Sequence, residues 1–128
     1  PIYEDRGLKV TALHNQHMGI AVDGKTWQSF SFRLDADGKS VVYSGDVADV
    51  RELEPLLDRC DLFLMETGHH TVENICRYLK DEGKDFGRLG FIHHGRAILA
   101  DPEGELEKAR AILGNRVFVA DDGMQLEI

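Results

Sequence analysis

Short apolar runs, separated by polar turns, divide the chain into brief strands and helices. The first run is Leu8–Leu13, and a polar, glycine-containing segment from Asn15 to Lys25 follows it. Residues 28–43 alternate polar and apolar positions on either side of an Asp-Gly turn, and this pattern predicts a β-hairpin. The runs Asp61–Met65 and Leu89–Ile92 predict two more strands, because each is short, apolar and flanked by polar sequence.

Two stretches have the period of amphipathic helices. Val72–Lys80 carries apolar residues at positions i, i+3, i+4 and i+7, and it is the clearest helix of the chain. Asp101, followed by proline, offers an N-cap for a second helix that ends at Gly114. A final strand pair is predicted from Val117–Ala120 and Met124–Ile128 around an Asp-Asp-Gly turn. The order of these elements predicts an α/β fold, since helical connections join parallel strands.

Composition limits the classes to which this chain can belong. At 128 residues it is long enough for a single domain, 1–128, and too short for two ordinary ones. The net charge of −8, from 15 basic and 23 acidic residues, disfavours nucleic acid as a partner, because binding to phosphate backbones needs clustered basic side chains. The sequence has neither an apolar run of about 20 residues nor a signal-peptide pattern, so we expect no membrane association and a cytoplasmic location. Cys60 and Cys76 are far apart and are expected to be reduced, buried thiols.

All six histidines lie in three close pairs, and each pair follows a strand-forming run. They are His14 with His17, His69 with His70, and His93 with His94. Asp46 follows a fourth such run. Loops at the carboxyl ends of strands line the crevice in which α/β sheets bind ligands, so we expect these side chains to converge. Imidazole and carboxylate groups together suit zinc, iron or manganese.

Each of these features also has an ordinary structural explanation. A single histidine at a strand end is more often a hydrogen-bonded loop residue than a ligand. Asp46 could equally cap the helix that follows it. Glu66 could orient a ligand histidine or lie exposed in a loop, and Arg96 could bind an anion or belong to the surface. Three pairs and an aspartate at matching positions favour a site over these explanations.

Four segments of the chain occur in a recognisable order. They are SFSFRLDADGKSVVYSGDV, CDLFLMETGHHT, RLGFIHHG and VFVADDGMQLEI. This order resembles the second half of the metallo-β-lactamase-fold hydrolases, in particular the ribonuclease Z-like and phosphodiesterase-like branch, from about Val10 to Ile128. The resemblance implies half of an αββα sandwich, with helices packed on one face of a mixed sheet. The family's His-x-His-x-Asp-His segment is absent, so the chain is expected to be the C-terminal portion of such a domain, without the N-terminal metal-binding segment.

The resemblance also implies a set of metal ligands. The family binds one or two metal ions, usually zinc, and iron or manganese are alternatives. The later single histidine of the family corresponds to His17, with His14 as the alternative. The bridging aspartate corresponds to Asp46. The last histidine corresponds to His93, with His94 as the alternative.

The implied activity is hydrolysis by a metal-bound hydroxide that attacks a phosphodiester or other ester-type bond of a small-molecule substrate. His70, before Thr71, resembles the histidine that protonates the leaving group in this branch, and His69 is the adjacent candidate. The chain alone is expected to be inactive and to need a partner, either the missing N-terminal half or a second copy. The alternative is a non-catalytic interaction module that keeps the fold and has lost the chemistry.

Overall fold

A seven-stranded sheet organises the described residues, which in this computed structural model are 2–19 and 28–128. The strands are β1 (Tyr3–Asp5), β2 (Leu8–Asn15), β3 (Ser29–Ala36), β4 (Lys39–Tyr43), β5 (Cys60–Glu66), β6 (Phe86–Ile92) and β7 (Val117–Val119). The helices are two 3₁₀ helices (Val50–Leu56 and Gly114–Arg116), α1 (Val72–Asp81), α2 (Arg96–Ala100) and α3 (Pro102–Leu113). Residues 20–25 of the polar segment predicted for 15–25 lie outside the described residues. No helix in the described part of the chain is long and apolar enough to cross a membrane.

The direction of the strands decides which loops meet. Strands β1 to β4 pair antiparallel in chain order, and β4, β5, β6 and β7 pair parallel. Two reversals between β2 and β4 mean that β2 runs in the same direction as β4, β5 and β6. The carboxyl ends of these four strands therefore lie at one edge of the sheet. The α/β class and the mixed sheet that the sequence predicts are confirmed.

The core lies on one face of the sheet, between the strands and the helices. Val42, Phe63 and Phe91 are fully buried in a cluster that includes the apolar face of α1. Full burial of such a side chain stabilises the fold by about 1.5–3 kcal/mol. Thr71 caps α1 by accepting a hydrogen bond from Asn74 N. These contacts fix α1, and with it the loop between β5 and α1.

The opposite face of the sheet, here called the open face, carries no helix among the described residues. Cross-strand register places an apolar set of side chains from β2, β3 and β4 on it. Phe30 and Tyr43 are 39% and 43% exposed on this face. The other members of the set are Val10, Ala12, Phe32, Leu34 and Val41.

The C-terminal strand pair that the sequence predicts is wrong. Val117–Val119 forms β7, but it pairs in parallel with β6 and not with residues 124–128. The predicted turn does form, since Met124 N donates to the Asp121 carbonyl at 3.1 Å. The segment after the turn forms no strand, and the pairing of β7 is with β6 alone. Strand β1, by contrast, was not predicted.

Candidate functional site

Four side chains from four different loops meet at the edge where β2, β4, β5 and β6 end. They are His17, Asp46, His69 and His93, and together they are called the histidine–aspartate cluster below. The ligand atoms of His17, Asp46 and His69 all lie within 4.8 Å of one another. The ring of His69 lies 4.7 Å from that of His17 and 5.7 Å from that of His93, between centroids. The convergence follows from the common direction of the strands.

Asp46 lies between two of the histidines. Its Oδ2 atom is 3.8 Å from His17 Nε2, and its Oδ1 atom is 3.6 Å from His93 Nε2. Both distances exceed those of a hydrogen bond. Two ligands bound at 2.0–2.2 Å to one tetrahedral zinc ion lie about 3.4 Å apart, close to both of the observed separations. Because the donors are imidazole and carboxylate, the cluster fits a divalent transition metal ion.

A tight loop after β4 presents Asp46. Gly45 has a φ of +57°, and a Cβ atom there would lie 2.6 Å from the Phe30 carbonyl oxygen, so this position requires glycine. Ser44 binds the loop to β5 twice: its N–H donates to the Leu64 carbonyl, and its Oγ accepts from Glu66 N, both at 2.9 Å. Both residues before Asp46 therefore have a structural role: Gly45 allows the tight turn, and Ser44 bonds the loop to β5.

Asn15 positions His17, and the sequence analysis missed it. Its side chain is 1% exposed, and its Oδ1 atom accepts hydrogen bonds from His17 N at 3.1 Å and from Ser29 Oγ at 2.5 Å. Its Nδ2 group donates to Ser31 Oγ at 3.0 Å. The available signal was an asparagine two residues before a candidate histidine, a spacing at which an Asn side chain can bind the backbone of its own turn.

Glu66 is the fully buried carboxylate behind the cluster. Its Oε1 atom lies 2.8 Å from His69 Nδ1, and its Oε2 atom accepts from His69 N at 2.9 Å. A carboxylate only accepts, so the Nδ1 atom of His69 carries the hydrogen and Nε2 is the nitrogen free to meet a metal or a substrate. The sequence left open whether Glu66 orients a histidine or lies exposed in a loop. In the structure it is buried and orients His69.

In each histidine pair, one ring belongs to the cluster and the other faces elsewhere. His14 is exposed, with its ring 5.5 Å from that of Phe30. His94 Nε2 donates to the Ala120 carbonyl at 2.7 Å, and its Nδ1 atom is buried without a partner among the described residues. His70 Nε2 lies 2.8 Å from the Val47 carbonyl oxygen. The predicted residues His17, Asp46, His69 and His93 thus lie together, while His14, His70 and His94 lie around them.

His93 reaches the cluster through an unusual backbone conformation. Its φ is +48°, in the left-handed region that residues other than glycine rarely adopt. Gly68 leaves the space for the ring, because a Cβ atom there would lie 2.6 Å from His93 Cδ2 and 2.8 Å from Nε2. Strain of this kind concentrates at functional sites, where the surrounding structure enforces it.

Two cavities flank the cluster and differ in their lining. One, of about 500 Å³, is lined by His93, His94, Leu99 and the acidic pair Asp121 and Asp122. The other, of about 220 Å³, has Arg96, Glu105 and the two histidines of the β5 loop among its lining residues. A ligand held by the cluster would therefore meet acidic and apolar groups on one side, and residues of both charges on the other.

A sequence profile and a sequence relative both indicate the same protein family. The sequence profile of the beta-lactamase superfamily domain matches residues 2–119. A ribonuclease Z from Haloferax volcanii is 29% identical over an alignment of 104 positions, and the match covers 71% of this chain and 32% of that protein. The chain therefore spans about a third of the length of this relative.

Two solved structures have the same fold. The metallo-beta-lactamase fold protein YhfI from Bacillus subtilis superimposes with a TM-score of 0.74 and 17% identity, over 95% of this chain and 50% of that one. Zinc-bound PqqB from Methylobacterium extorquens superimposes with a TM-score of 0.71 and 18% identity, over 95% of this chain and 51% of that one. The chain spans about half the length of each.

Proposed function

Because the chain belongs to the beta-lactamase superfamily, whose members include hydrolases such as ribonuclease Z, we propose that it forms part of a metal-dependent hydrolase. The bond attacked is a phosphodiester or another ester-type bond. The observation that carries this proposal is the position of Asp46, whose two carboxylate oxygens each face the Nε2 atom of a different histidine, His17 and His93.

His17, Asp46 and His93 are the proposed metal ligands. Asp46 would be a ligand common to one or two ions, since each of its oxygens faces a different histidine. A bound divalent metal ion supplies a Lewis acid that activates water and offsets negative charge developing on the substrate. Zinc is the first candidate because of the imidazole-rich donor set and the zinc-bound relative PqqB, and iron or manganese are alternatives.

His69 is the proposed proton donor to the leaving group. Glu66 holds the ring through Nδ1, so the ring has a fixed direction and a single free nitrogen. An imidazole suits general acid catalysis because it titrates in the neutral range. The sequence placed His70 first for this role, but its Nε2 atom is occupied by the Val47 carbonyl, and this contact favours His69.

A small-molecule substrate suits the surroundings of the cluster better than a nucleic acid. The net charge of the chain is −8, and Asp121 and Asp122 line the larger adjoining cavity. Carboxylates at this position repel a polyanion such as RNA. We therefore assign a small ester or phosphodiester to this chain, although its relative from Haloferax volcanii is a ribonuclease Z.

The partner of the open face is proposed to be the other half of the sandwich, and a second copy of the chain is the alternative. The face is apolar, and an exposed apolar surface of this kind favours association. A cytoplasmic location remains part of the proposal, and two reduced thiols, Cys60 and Cys76, are compatible with it. Residues 1–128 would then be one portion of a larger catalytic domain.

The proposal predicts that replacing Asp46 removes metal and activity together. In the full-length protein, we expect Asp46→Ala to lower zinc content after dialysis and to reduce hydrolysis of bis(p-nitrophenyl) phosphate about a hundredfold or more, since the metal site would lose its carboxylate ligand. Metal is measured by inductively coupled plasma mass spectrometry. Asp58→Ala, at an exposed aspartate away from the cluster, serves as the control and should change neither quantity.

Two results would contradict the proposal. Normal zinc loading in Asp46→Ala would remove Asp46 from the metal site. A full-length wild-type protein that binds neither zinc, iron nor manganese would favour the non-catalytic interaction module.

A further inference from the structure

His70 lies behind the histidine–aspartate cluster, against the loop that carries Asp46. Its side chain is 15% exposed, and its Nε2 atom lies 2.8 Å from the carbonyl oxygen of Val47, the residue after Asp46. The same nitrogen lies 3.3 Å from Oε1 of the buried Glu66. The ring therefore connects the loop after β4 with the end of β5.

The two neighbours of His70 Nε2 determine where its hydrogen is. A carbonyl oxygen and a carboxylate oxygen are both acceptors, so Nε2 carries the hydrogen and donates it. In this arrangement Nε2 has no lone pair for a metal ion, and its proton is committed to the protein. His70 is thereby distinct from His69, whose Nε2 atom is free.

Both backbone groups of Val47 are held through this arrangement. Its N–H donates to Glu66 Oε1 at 3.3 Å, and its C=O accepts from His70 at 2.8 Å. Its side chain is 1% exposed in the core. On the other side of Asp46, Ser44 is bonded to β5 through both its N–H and its Oγ. The short segment that bears Asp46 is thus fixed at both ends.

We propose that His70 is a positioning residue, which fixes the carboxylate of Asp46 by bonding the Val47 carbonyl to the Glu66 site. Removing its N–H leaves a buried carbonyl without a donor and releases one end of the loop, and both effects favour an altered loop conformation. The consequence for metal binding rests on the proposed function, whereas the consequence for the loop does not.

Side-chain length provides a sharp test. The amide nitrogen of glutamine reaches about as far from the backbone as Nε2 of histidine, so His70→Gln can still donate to Val47. The amide of asparagine is one carbon shorter and cannot, although it is equally polar. His70→Asn is therefore the matched control for His70→Gln, and His70→Leu removes the donor altogether.

The experiment has two readouts besides activity. Hydrogen exchange of the backbone amides of residues 45–49 is measured in the metal-free full-length protein, and zinc affinity is measured by competition with a chromophoric chelator. We expect His70→Asn and His70→Leu to speed exchange of the Val47 amide and to weaken zinc binding ten- to a hundredfold, the usual effect of losing a residue that orients a metal ligand. His70→Gln should stay within about threefold of wild type in both.

Each outcome decides a separate point. Equal effects of Gln and Asn, or wild-type exchange and affinity in His70→Leu, would overturn the positioning role. His70→Gln that keeps both properties but loses hydrolysis would leave the positioning role standing and move proton donation from His69 to His70. If wild-type protein binds no zinc, the proposed function fails, and the exchange data still decide whether His70 holds the loop. Circular dichroism of each variant verifies that it is folded.

Discussion

At the scale of single residues, the sequence indicates which loops carry the candidate site residues, but not which side chain of each histidine pair faces the site. Three histidine pairs and Asp46 follow strands, and that pattern predicted that they converge at one rim. The family resemblance then implied His17 and His93 within their pairs, and both lie beside Asp46. Their role as metal ligands stays a prediction. The choice within each pair depends on loop dihedral angles, such as the φ of +48° at His93, and no local pattern in the sequence specifies them.

Gly68 allows a prediction about one of these loops. In Gly68→Ala, the new Cβ atom would overlap the His93 ring, which can rotate away, and would lie 3.2 Å from the His93 carbonyl oxygen, a contact that a backbone shift of a few tenths of an ångström relieves. We expect the melting temperature to change little and zinc affinity to fall at least about tenfold, because a ligand is displaced. Differential scanning fluorimetry and chelator competition measure the two quantities.

Gly38→Ala is the control for this prediction. Gly38 has a φ of +73° with open space around it, so alanine there strains a turn far from the cluster. The control should lower the melting temperature and leave zinc affinity unchanged. The interpretation of Gly68 is wrong if its alanine variant binds zinc as tightly as wild type.

At the scale of helices and strands, period, capping and the pairing of the hairpin over 28–43 were predicted correctly, whereas the pairing of the C-terminal strand was not. The alternation over 28–43 and the spacing over 72–80 predicted β3, β4 and α1 correctly, because each depends on residues near in sequence. The pairing of β7 with β6 depends on an edge formed by residues some 28 positions earlier (Leu89 with Val117), and the local Asp-Asp-Gly signal could not report it. The parallel direction of β2 and β4 is likewise a property of the whole sheet.

The elements β5 and α1 each bury a thiol, and this gives a prediction about alkaline stability. Burial raises the pKa of Cys60 to about 11 and that of Cys76 to about 12, from an ordinary value of 9.0. The folded state therefore keeps both protons when the unfolded chain has lost them. The stability from these thiols is fully present below about pH 9 and is lost as the pH rises through 9 towards 11 and 12.

Urea unfolding at about pH 8 and about pH 10 measures this effect. We expect the free energy of unfolding of wild type to fall between these values more steeply than that of Cys60→Ala/Cys76→Ala, which lacks both groups. The thiols should also resist alkylation by iodoacetamide in the folded protein, since the thiolate is the reactive form. Equal slopes in the two proteins, or rapid alkylation of native wild type, would contradict the burial argument.

At the scale of the whole molecule, the sheet has one face covered by helices and one open. The resemblance in the sequence predicted half of an αββα sandwich with helices on one face, and the fold is of this kind. Amino-acid composition alone could not have predicted the open face, because apolar residues on a covered face and on an open face contribute equally to the apolar fraction. The distinction appears only when the register of β2, β3 and β4 is known.

The open face predicts self-association of residues 1–128 in isolation. At tens of micromolar, sedimentation velocity should detect dimers or larger species, since apolar surface left in water favours contact. Phe30→Thr/Tyr43→Thr keeps strand-forming residues and removes two exposed aromatic rings, so this variant should be more monomeric.

Leu99→Thr is the control for the open face. Leu99 is 71% exposed but lies on α2, so its loss should leave association unchanged. Wild-type residues 1–128 that stay monomeric throughout this concentration range would contradict the prediction, and so would a Leu99 variant that dissociates as completely as the double variant.

The four strand ends that supply the cluster have a consequence for how the protein is assembled. More than half of the chain lies between His17 and His93, and no two members of the cluster come from the same connection. An ion bound by residues so distant in sequence would act as a crosslink, resisting separation of the antiparallel and parallel parts of the sheet. Metal supply would then influence the lifetime of the folded protein in the cell as well as its catalytic competence.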